Sequence, residues 1–184
     1  MRCDLINILV CIEDPGALNF IKPIIQPLLN NYNEIIIAVS ELVEHNVKDI
    51  SVSKKIKIDK NTNPYSLPVE KIDLIITGTS ENRSAFGLKL HEYAKQKNIL
   101  SVSMVDGPAN AAYRFRGNSF HPTTYAPDFI LLADKETKKK YLKVGFKKNI
   151  LKVVGHPHYD TLKKARKSFE EKGKFFYKKK YFPK

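Results

Sequence analysis

The order of apolar and polar positions along the chain predicts alternating strands and helices. Apolar runs of strand length, rich in β-branched residues, occupy residues 5–12, 34–39, 72–77, 99–104, 129–132 and 150–154, with a weaker seventh at 56–58. These runs lack polar alternation, which is typical of strands covered on both faces. Since strands that alternate with helices form parallel sheets with right-handed crossovers, we predict an α/β fold with an open doubly wound parallel sheet of about seven strands.

Residues with helical spacing fill the segments between these runs. Apolar residues recur every three to four positions over 17–29, although Pro23 and Pro27 lie in this stretch and should kink the helix or split it in two. Capping preferences predict the other helix boundaries. The predicted N-caps are Ser40, Ser80 and Asp134. Gly145 should follow the end of the fourth helix, and Pro157 should begin the fifth.

Charge is distributed unevenly. The chain has 32 Lys and Arg residues and 19 Asp and Glu residues. Residues 1–134 carry 14 basic and 15 acidic side chains, whereas residues 135–184 carry 18 basic and 4 acidic ones. We therefore predict a near-neutral domain over residues 1–160 and a basic, aromatic helix or tail over 161–184. Such a tail suits an anionic membrane surface or single-stranded nucleic acid, but it would also fit a solvated helix end or a segment that docks on a second domain. Nucleic acid is the less favoured partner, because the body has no recognised nucleic-acid fold.

The cysteines and the N-terminus bear on the compartment. Cys3 and Cys11 flank one predicted strand, which would hold their sulfurs too far apart for a disulfide, so reduced thiols are expected. The first apolar run is interrupted by Asn7 and lacks a signal-peptide cleavage pattern, and no run approaches the ~18 residues of a membrane span. A cytoplasmic protein is expected, peripheral at the inner membrane face if the tail contacts lipid.

Candidate site residues lie in the loops that follow the strands, because ligands of open α/β sheets bind at the carboxyl ends of strands. In the first loop, Gly16 would let an anion approach the free N–H groups of a helix start. Asp14 itself is better explained as the N-cap of that helix, with Pro15 at its first position. The G-x-G-x-x-G pattern is absent, and Glu13 and Asp14 would repel a pyrophosphate, which argues against dinucleotide binding.

The second loop has the sequence Thr-Gly-Thr-Ser at residues 77–80. The Thr79 hydroxyl and the backbone at Gly78 could hold a phosphate or a sugar oxygen at a helix start. The lysine of a P-loop is absent. Capping of the helix by Ser80 explains the same residues without a ligand.

The third loop, residues 106–127, is the longest stretch without a clear period. Asp106 could act as a carboxylate base or accept hydrogen bonds from sugar hydroxyls. Arg114 and Arg116 could clamp a phosphate or carboxylate between them. A solvated loop with surface arginines is the alternative interpretation.

The last predicted strand leads into a segment with two histidines, His156 and His158. No third ligand follows at zinc spacing, so we predict no metal site. Gly155 and Pro157 are expected to form a tight turn into the fifth helix, with Asp160 in its first turn.

This last segment resembles a known family. Val-Val-Gly-His-Pro followed three residues later by Asp, over 153–160, resembles the element that closes the N-terminal domain of GT-B-fold enzymes. That group includes lipid A disaccharide synthase, UDP-N-acetylglucosamine 2-epimerase and the CDP-glycerol glycerophosphotransferases. Residues 13–17, 77–79 and 105–115 look like the first, middle and pre-closing loops of such domains, so the resemblance covers about residues 4–165.

The resemblance implies one half of a two-domain enzyme. In GT-B enzymes two Rossmann-like domains face each other, the N-terminal one mainly receiving the acceptor and the C-terminal one binding the nucleotide-sugar. This chain resembles only the first. The resemblance therefore implies an acceptor-side domain of polysaccharide or glycolipid biosynthesis that takes a sugar or lipid-linked acceptor. It also implies that a second-domain chain is needed for full activity. No cofactor is expected. A nucleotide-sugar donor would bind only if a second domain were present.

A non-catalytic binding or regulatory α/β module, attached to a membrane or partner by its basic tail, is the alternative function. Asp106 is the candidate catalytic residue, although the resemblance itself identifies no catalytic base. It implies acceptor-side roles for Asp14, Gly16, Thr79, Asp106 and Arg114, and the same loops add Asn19, Gly78, Asn110 and Arg116 as substrate-binding candidates.

Overall fold

The structure is a computed structural model that describes residues 6–31 and 34–181. All seven predicted strands are present: β1 Asn7–Ile12, β2 Glu34–Ser40, β3 Lys54–Ile58, β4 Leu74–Thr77, β5 Leu100–Val105, β6 Phe129–Leu132 and β7 Leu151–Val153. They form one parallel sheet in the order β3-β2-β1-β4-β5-β6-β7. The predicted open, doubly wound α/β fold is confirmed.

Within the described residues, five α-helices flank the sheet. Two short 3₁₀ turns, His45–Val47 and Pro64–Ser66, lie in the connections. The helices are α1 Pro15–Leu29, α2 Glu41–Glu44, α3 Phe86–Lys97, α4 Lys135–Lys143 and α5 His158–Tyr181.

The apolar core lies on both faces of the sheet. In β1, Ile8 and Val10 pack with α1 on one face, while Leu9 and Cys11 pack with α3 on the other. Successive side chains of a strand point to opposite faces, so a strand covered twice must be apolar throughout. A third cluster, around Phe115, joins the third loop to α4 and the last two strands. The double cover explains why the strands are uniformly apolar in sequence.

Helix α1 runs without a break through Pro23 and Pro27, so of the two expected outcomes, a kink or a split, the split into two helices is wrong. Phe20, Ile21 and Ile25 on its inner face are almost completely buried, and this packing holds the chain on the sheet despite the lost N–H groups. The predicted start is confirmed. Asp14 is the N-cap, its side chain accepts from the Ala17 N–H at 2.8 Å, and a proline follows at the first position.

The third helix begins later than predicted. It starts at Phe86, residues 78–85 are irregular, and its N-cap Ala85 offers no side-chain oxygen. Ser80 is therefore not its cap. The missing acceptor is supplied from another loop, because the carboxylate of Glu13 accepts from the N–H groups of Phe86 and Gly87 at 2.7 and 2.8 Å.

The remaining boundaries agree closely with the prediction. Ser40 is the N-cap residue of α2, but its hydroxyl donates to the Glu13 carbonyl oxygen at 2.5 Å instead of capping the helix. Asp134 caps α4 by accepting from the Thr137 N–H at 2.7 Å, and Gly145 follows that helix with a φ of +101°. Helix α5 begins one residue after Pro157.

The predicted tail begins inside helix α5, which runs from His158 to Tyr181 and changes direction at Gly173, whose φ is 74° and ψ 162°. Residues 182–184 and Cys3 lie outside the described residues, so the expectations about them stay predictions. Cys11 is buried, and this burial raises the pKa of its thiol. None of the helices described is long and apolar enough to cross a bilayer.

Candidate functional site

Three loops that are far apart in sequence meet at one edge of the sheet. The strands that lead into them, β1, β4 and β5, are neighbours, and β1 is where the order of the sheet reverses direction. Their carboxyl ends surround a cavity of about 320 Å³. It is lined by Asp14 and Gly16 from the first loop, Thr79, Ser80 and Glu81 from the second, and Asp106 and Arg114 from the third.

A buried arginine joins two of these loops. Arg114 is 8% exposed, and its Nη1 donates to Asp106 Oδ1 at 2.9 Å and to Thr79 Oγ1 at 2.6 Å. Its Nε donates to the Ala109 carbonyl oxygen at 3.0 Å, which ties the guanidinium to its own loop. Charge-assisted hydrogen bonds of this kind are short and directional. The Asp106–Arg114–Thr79 network therefore fixes one wall of the cavity.

The absence of a side chain at Gly16 lets the first loop meet this network. A Cβ at Gly16 would collide with Asp106 Oδ2, so the Asp106 carboxylate fits against the start of α1 only because residue 16 is glycine. A helix N-terminus favours a negative charge. The first turn of α1 thus already faces a carboxylate of the protein itself.

Glu13 was missed as a structural residue by the sequence reasoning, which considered it only as a source of repulsion. Its carboxylate lies at the start of α3, where it accepts two backbone N–H groups. Burial raises the pKa of Glu13, and these hydrogen bonds act in the opposite direction. A polar residue placed directly after a fully buried strand was the available signal. Which helix it would cap could not be read from the sequence.

The cavity lining is acidic. Asp14, Glu81 and Asp106 contribute three carboxylates, and Arg114 contributes the one cation. Arg116 does not line the cavity, because its guanidinium stacks on the Tyr113 ring at 4.4 Å. The expected clamp of two arginines around one anion is therefore not formed in this structure.

Three other candidate residues do not line the cavity. Asn19 is exposed on α1. A Cβ at Gly78 would collide with the side chain of Ala17, so this glycine serves the packing of the second loop on α1. Asn110 has a φ of 56°, and its amide donates to the carboxylate of Glu81. Asn110 thus makes a side-chain hydrogen bond to a residue that lines the cavity.

A buried polar network supports the cavity from below. His91 Nε2 lies 3.1 Å from Thr77 Oγ1 and 2.8 Å from Ser103 Oγ, and these two hydroxyls are 2.7 Å apart. Desolvation lowers the pKa of His91 to about 4, so the ring is neutral at pH 7. This network joins the middle of α3 to β5 and to Thr77 at the end of β4, two residues before Thr79 in the chain.

The two histidines after β7 form a turn, as expected. Gly155 has a φ of +85°, and His156 Nδ1 accepts from the His158 N–H at 3.3 Å. The His156 ring stacks on Tyr159 at 4.7 Å and meets the edge of Phe20 at 4.4 Å. Burial and the nearby His158 lower the pKa of His156. Across residues 6–31 and 34–181, no three His, Cys, Asp or Glu side chains form a group that could hold a metal ion.

Comparison with known proteins shows the fold. No family model and no curated protein matches the chain. Among solved structures, it is similar to a UDP-GlcNAc 2-epimerase from Neisseria meningitidis bound to UDP-GlcNAc, with a TM-score of 0.63 and 12% identity over 97% of this chain and 54% of that one. A second UDP-N-acetylglucosamine 2-epimerase matches with a TM-score of 0.60 and 12% identity, over 87% of this chain and 51% of that one.

A glycosyltransferase of kitacinnamycin is also similar, with a TM-score of 0.54 and 10% identity, over 84% of this chain and 52% of that one. The chain thus has the α/β fold of one half of GT-B proteins and spans about half the length of these structures. The resemblance noted in the sequence is confirmed for the fold, namely that of the UDP-GlcNAc 2-epimerases and GT-B glycosyltransferases.

Proposed function

We propose that this chain is the acceptor-side half of a GT-B-type sugar-processing enzyme, and that the cavity at the ends of β1, β4 and β5 binds a sugar through its hydroxyl groups. The observation that carries this proposal is the convergence of three loops on one cavity whose wall is fixed by buried Arg114. The acidic lining suits an uncharged, hydroxyl-rich group, because carboxylates accept hydrogen bonds from hydroxyls and repel phosphate.

The residues of the site have different roles in this proposal. Arg114 is a positioning residue, since its Nη1 already bonds to Asp106 and Thr79. Asp106, Glu81 and the Ser80 hydroxyl accept hydrogen bonds from the sugar. A nucleotide-sugar donor and a complete active site would come from a second half, as in the two-domain relatives. Polysaccharide or glycolipid biosynthesis, a lipid-linked acceptor and a cytoplasmic location belong to the same proposal.

A non-catalytic binding module is the second candidate function. It is favoured by the state of Asp106, whose Oδ1 is engaged by Arg114 and whose Oδ2 faces the close contact with Gly16. A general base must reach the proton that it removes, and an oxygen held by a guanidinium is a poor acceptor for it. In this alternative the same cavity binds sugar without turnover.

Binding can be tested on the purified chain with isotope labelling. We expect N-acetylglucosamine, titrated to millimolar concentration, to shift the backbone NMR signals of the three loops, and UDP-N-acetylglucosamine to bind no more tightly. Thr79→Val removes the hydroxyl that accepts from Arg114 Nη1 in the cavity wall, and Glu81→Gln replaces a charged acceptor with a neutral one, so each should weaken binding at least threefold. Glu92→Gln is the matched control, since Glu92 is exposed on α3 outside the cavity.

Shifts that map elsewhere, or equal affinity in Thr79→Val, Glu81→Gln and Glu92→Gln, would refute the sugar site. The two candidate functions are separated by adding the protein encoded by the adjacent gene together with UDP-N-acetylglucosamine. Turnover that is lost in Asp106→Asn supports the enzyme half, whereas sugar binding without turnover supports the binding module.

A further inference from the structure

Helix α5 differs from the other helices because none of its described side chains is buried. From Tyr159 to Lys180, every described side chain is exposed except Ser168, which is half-buried. Its main contact with the body is with α1. An isolated helix is stabilised weakly in water, since most helical stability in proteins comes from packing an apolar face. The apolar groups of α5 are therefore the part of this helix that needs an explanation.

Among the described side chains of α5, four large apolar ones are about half exposed. Tyr159 is 57% exposed, Leu162 51%, and Phe169 and Phe176 46% each. Leu162 and Phe169 are seven residues apart, so they lie on one face of the first part of the helix. An exposed apolar stripe with charged residues around it marks an interaction surface.

The charge of α5 changes at Gly173. Before this residue, basic side chains have acidic partners within the helix, as in Arg166 with Glu170 at 2.8 Å and Lys163 with Asp160 at 3.5 Å. After it, residues 174–181 contain four lysines, four aromatic residues and no acidic residue. We call residues 174–181 the basic-aromatic segment. The sequence of this segment has a net positive charge, which favours an anionic partner.

We propose that the basic-aromatic segment binds the surface of an anionic lipid bilayer. Each lysine near such a surface raises affinity roughly fivefold, so four lysines supply an increase of several hundredfold. Aromatic rings are favoured at the level of the lipid headgroups. The turn at Gly173 sets the segment at an angle to the first part of α5, whose Leu162 and Phe169 add apolar surface. The inference rests on α5 and is independent of the sugar site.

Two features favour lipid over single-stranded nucleic acid. Binding of nucleic acid requires an open ring face on which a base can stack. In Phe176, Lys172 Nζ lies 5.3 Å from the ring centroid, so a base would compete with this cation for one of the two ring faces. The second feature is the aliphatic and aromatic pair Leu162 and Phe169, which fits the boundary of the acyl chains and offers nothing to a phosphate backbone.

Vesicle flotation of the full chain tests the proposal. Vesicles of phosphatidylcholine alone are compared with vesicles that also contain phosphatidylglycerol, each at low and high salt. We expect flotation with the anionic vesicles only, reduced by high salt because screening weakens exposed charges. Lys178→Glu with Lys180→Glu should weaken this binding at least tenfold. Lys60→Glu with Lys147→Glu makes the same change in net charge outside α5 and should keep most of the binding.

Three results would overturn the proposal. They are no binding to anionic vesicles, equal binding to neutral vesicles, and equal loss in the two double variants, which would indicate a general effect of net charge. A single-stranded oligonucleotide and the soluble headgroup of phosphatidylglycerol are each added as competitors. If the oligonucleotide displaces the chain from vesicles at the lower concentration, nucleic acid is the partner instead. Circular dichroism of each variant confirms that the body is folded.

Discussion

The cavity and helix α5 use charge in opposite ways. In the cavity, Arg114 is almost fully buried and its bonds join two loops. In α5, the ion pairs are exposed and join residues three or four positions apart. Breaking a buried pair leaves a charge without water or partner, whereas an exposed pair contributes little to stability. A change in the cavity should therefore affect folding and binding together, and a change in α5 should affect binding alone.

The largest expected effect comes from removing the partner of the buried arginine. Asp106→Ala removes the counter-charge of Arg114, which keeps only neutral acceptors on Thr79 and Ala109, and should lower the free energy of unfolding by about 3 kcal/mol, measured by urea denaturation. Arg166→Ala in α5, which breaks an exposed pair, should change it by less than about 0.5 kcal/mol.

The double variant Asp106→Ala with Arg114→Met tests the stated cause. It removes both charges and should be more stable than Asp106→Ala alone. Equal destabilisation by Asp106→Ala and Arg166→Ala would show that burial does not distinguish the two regions.

A smaller effect is expected from crowding the same network. Gly16→Ala places a methyl group against Asp106 Oδ2 and should lower the free energy of unfolding by about 2 kcal/mol, because the carboxylate is held by Arg114 and cannot move away freely. Gly107→Ala is the matched control, since nothing lies within 4 Å of the added carbon. Urea denaturation of both variants measures the difference, and a neutral Gly16→Ala would contradict the close approach.

The smallest expected effect is a pH dependence from the network below the cavity. His91 has a pKa of about 4 in the folded chain, below its usual value of 6.5, so between these values the unfolded chain binds more protons than the folded one. Stability must then fall as pH falls, by about 1 kcal/mol between pH 7 and pH 5.5.

The raised pKa of Glu13 acts in the opposite direction at lower pH, so the contribution of His91 is obtained by comparing the wild type with His91→Gln. Between pH 7 and 5.5 the free energy of unfolding should fall by about 1 kcal/mol less in this variant than in the wild type. In the exposed control His121→Gln it should fall as much as in the wild type. Identical pH profiles for all three proteins would exclude His91 as the source.

The sequence predicted the strands well because double cover requires uniformly apolar runs. Strand β6 occupies the predicted residues 129–132. The start of α3 was predicted wrongly because its capping group is Glu13, which lies 73 residues earlier in the chain. Local capping preferences predict Ser80 as the cap. The structure instead uses the carboxylate of Glu13, which comes from a distant loop.

Five candidate residues of the site meet at one cavity, because the carboxyl ends of neighbouring parallel strands must meet. Which side of a loop faces the cavity was not predictable. Arg114 and Arg116 are two positions apart, yet Arg114 pairs with Asp106 whereas Arg116 stacks on Tyr113. Phe115 between them is 1% exposed and packs into the third apolar cluster. The binding roles of all the candidates remain predictions.

The contact between Glu13 and α3 has a consequence for anion selectivity. The carboxylate is tethered to the same chain as the two N–H groups that it occupies, so its effective concentration there far exceeds that of any dissolved ion. Free phosphate would have to displace this built-in competitor. The Glu13 carboxylate thus occupies the N–H groups at the start of α3 that a phosphorylated ligand would need. Any diphosphate must be held by other groups.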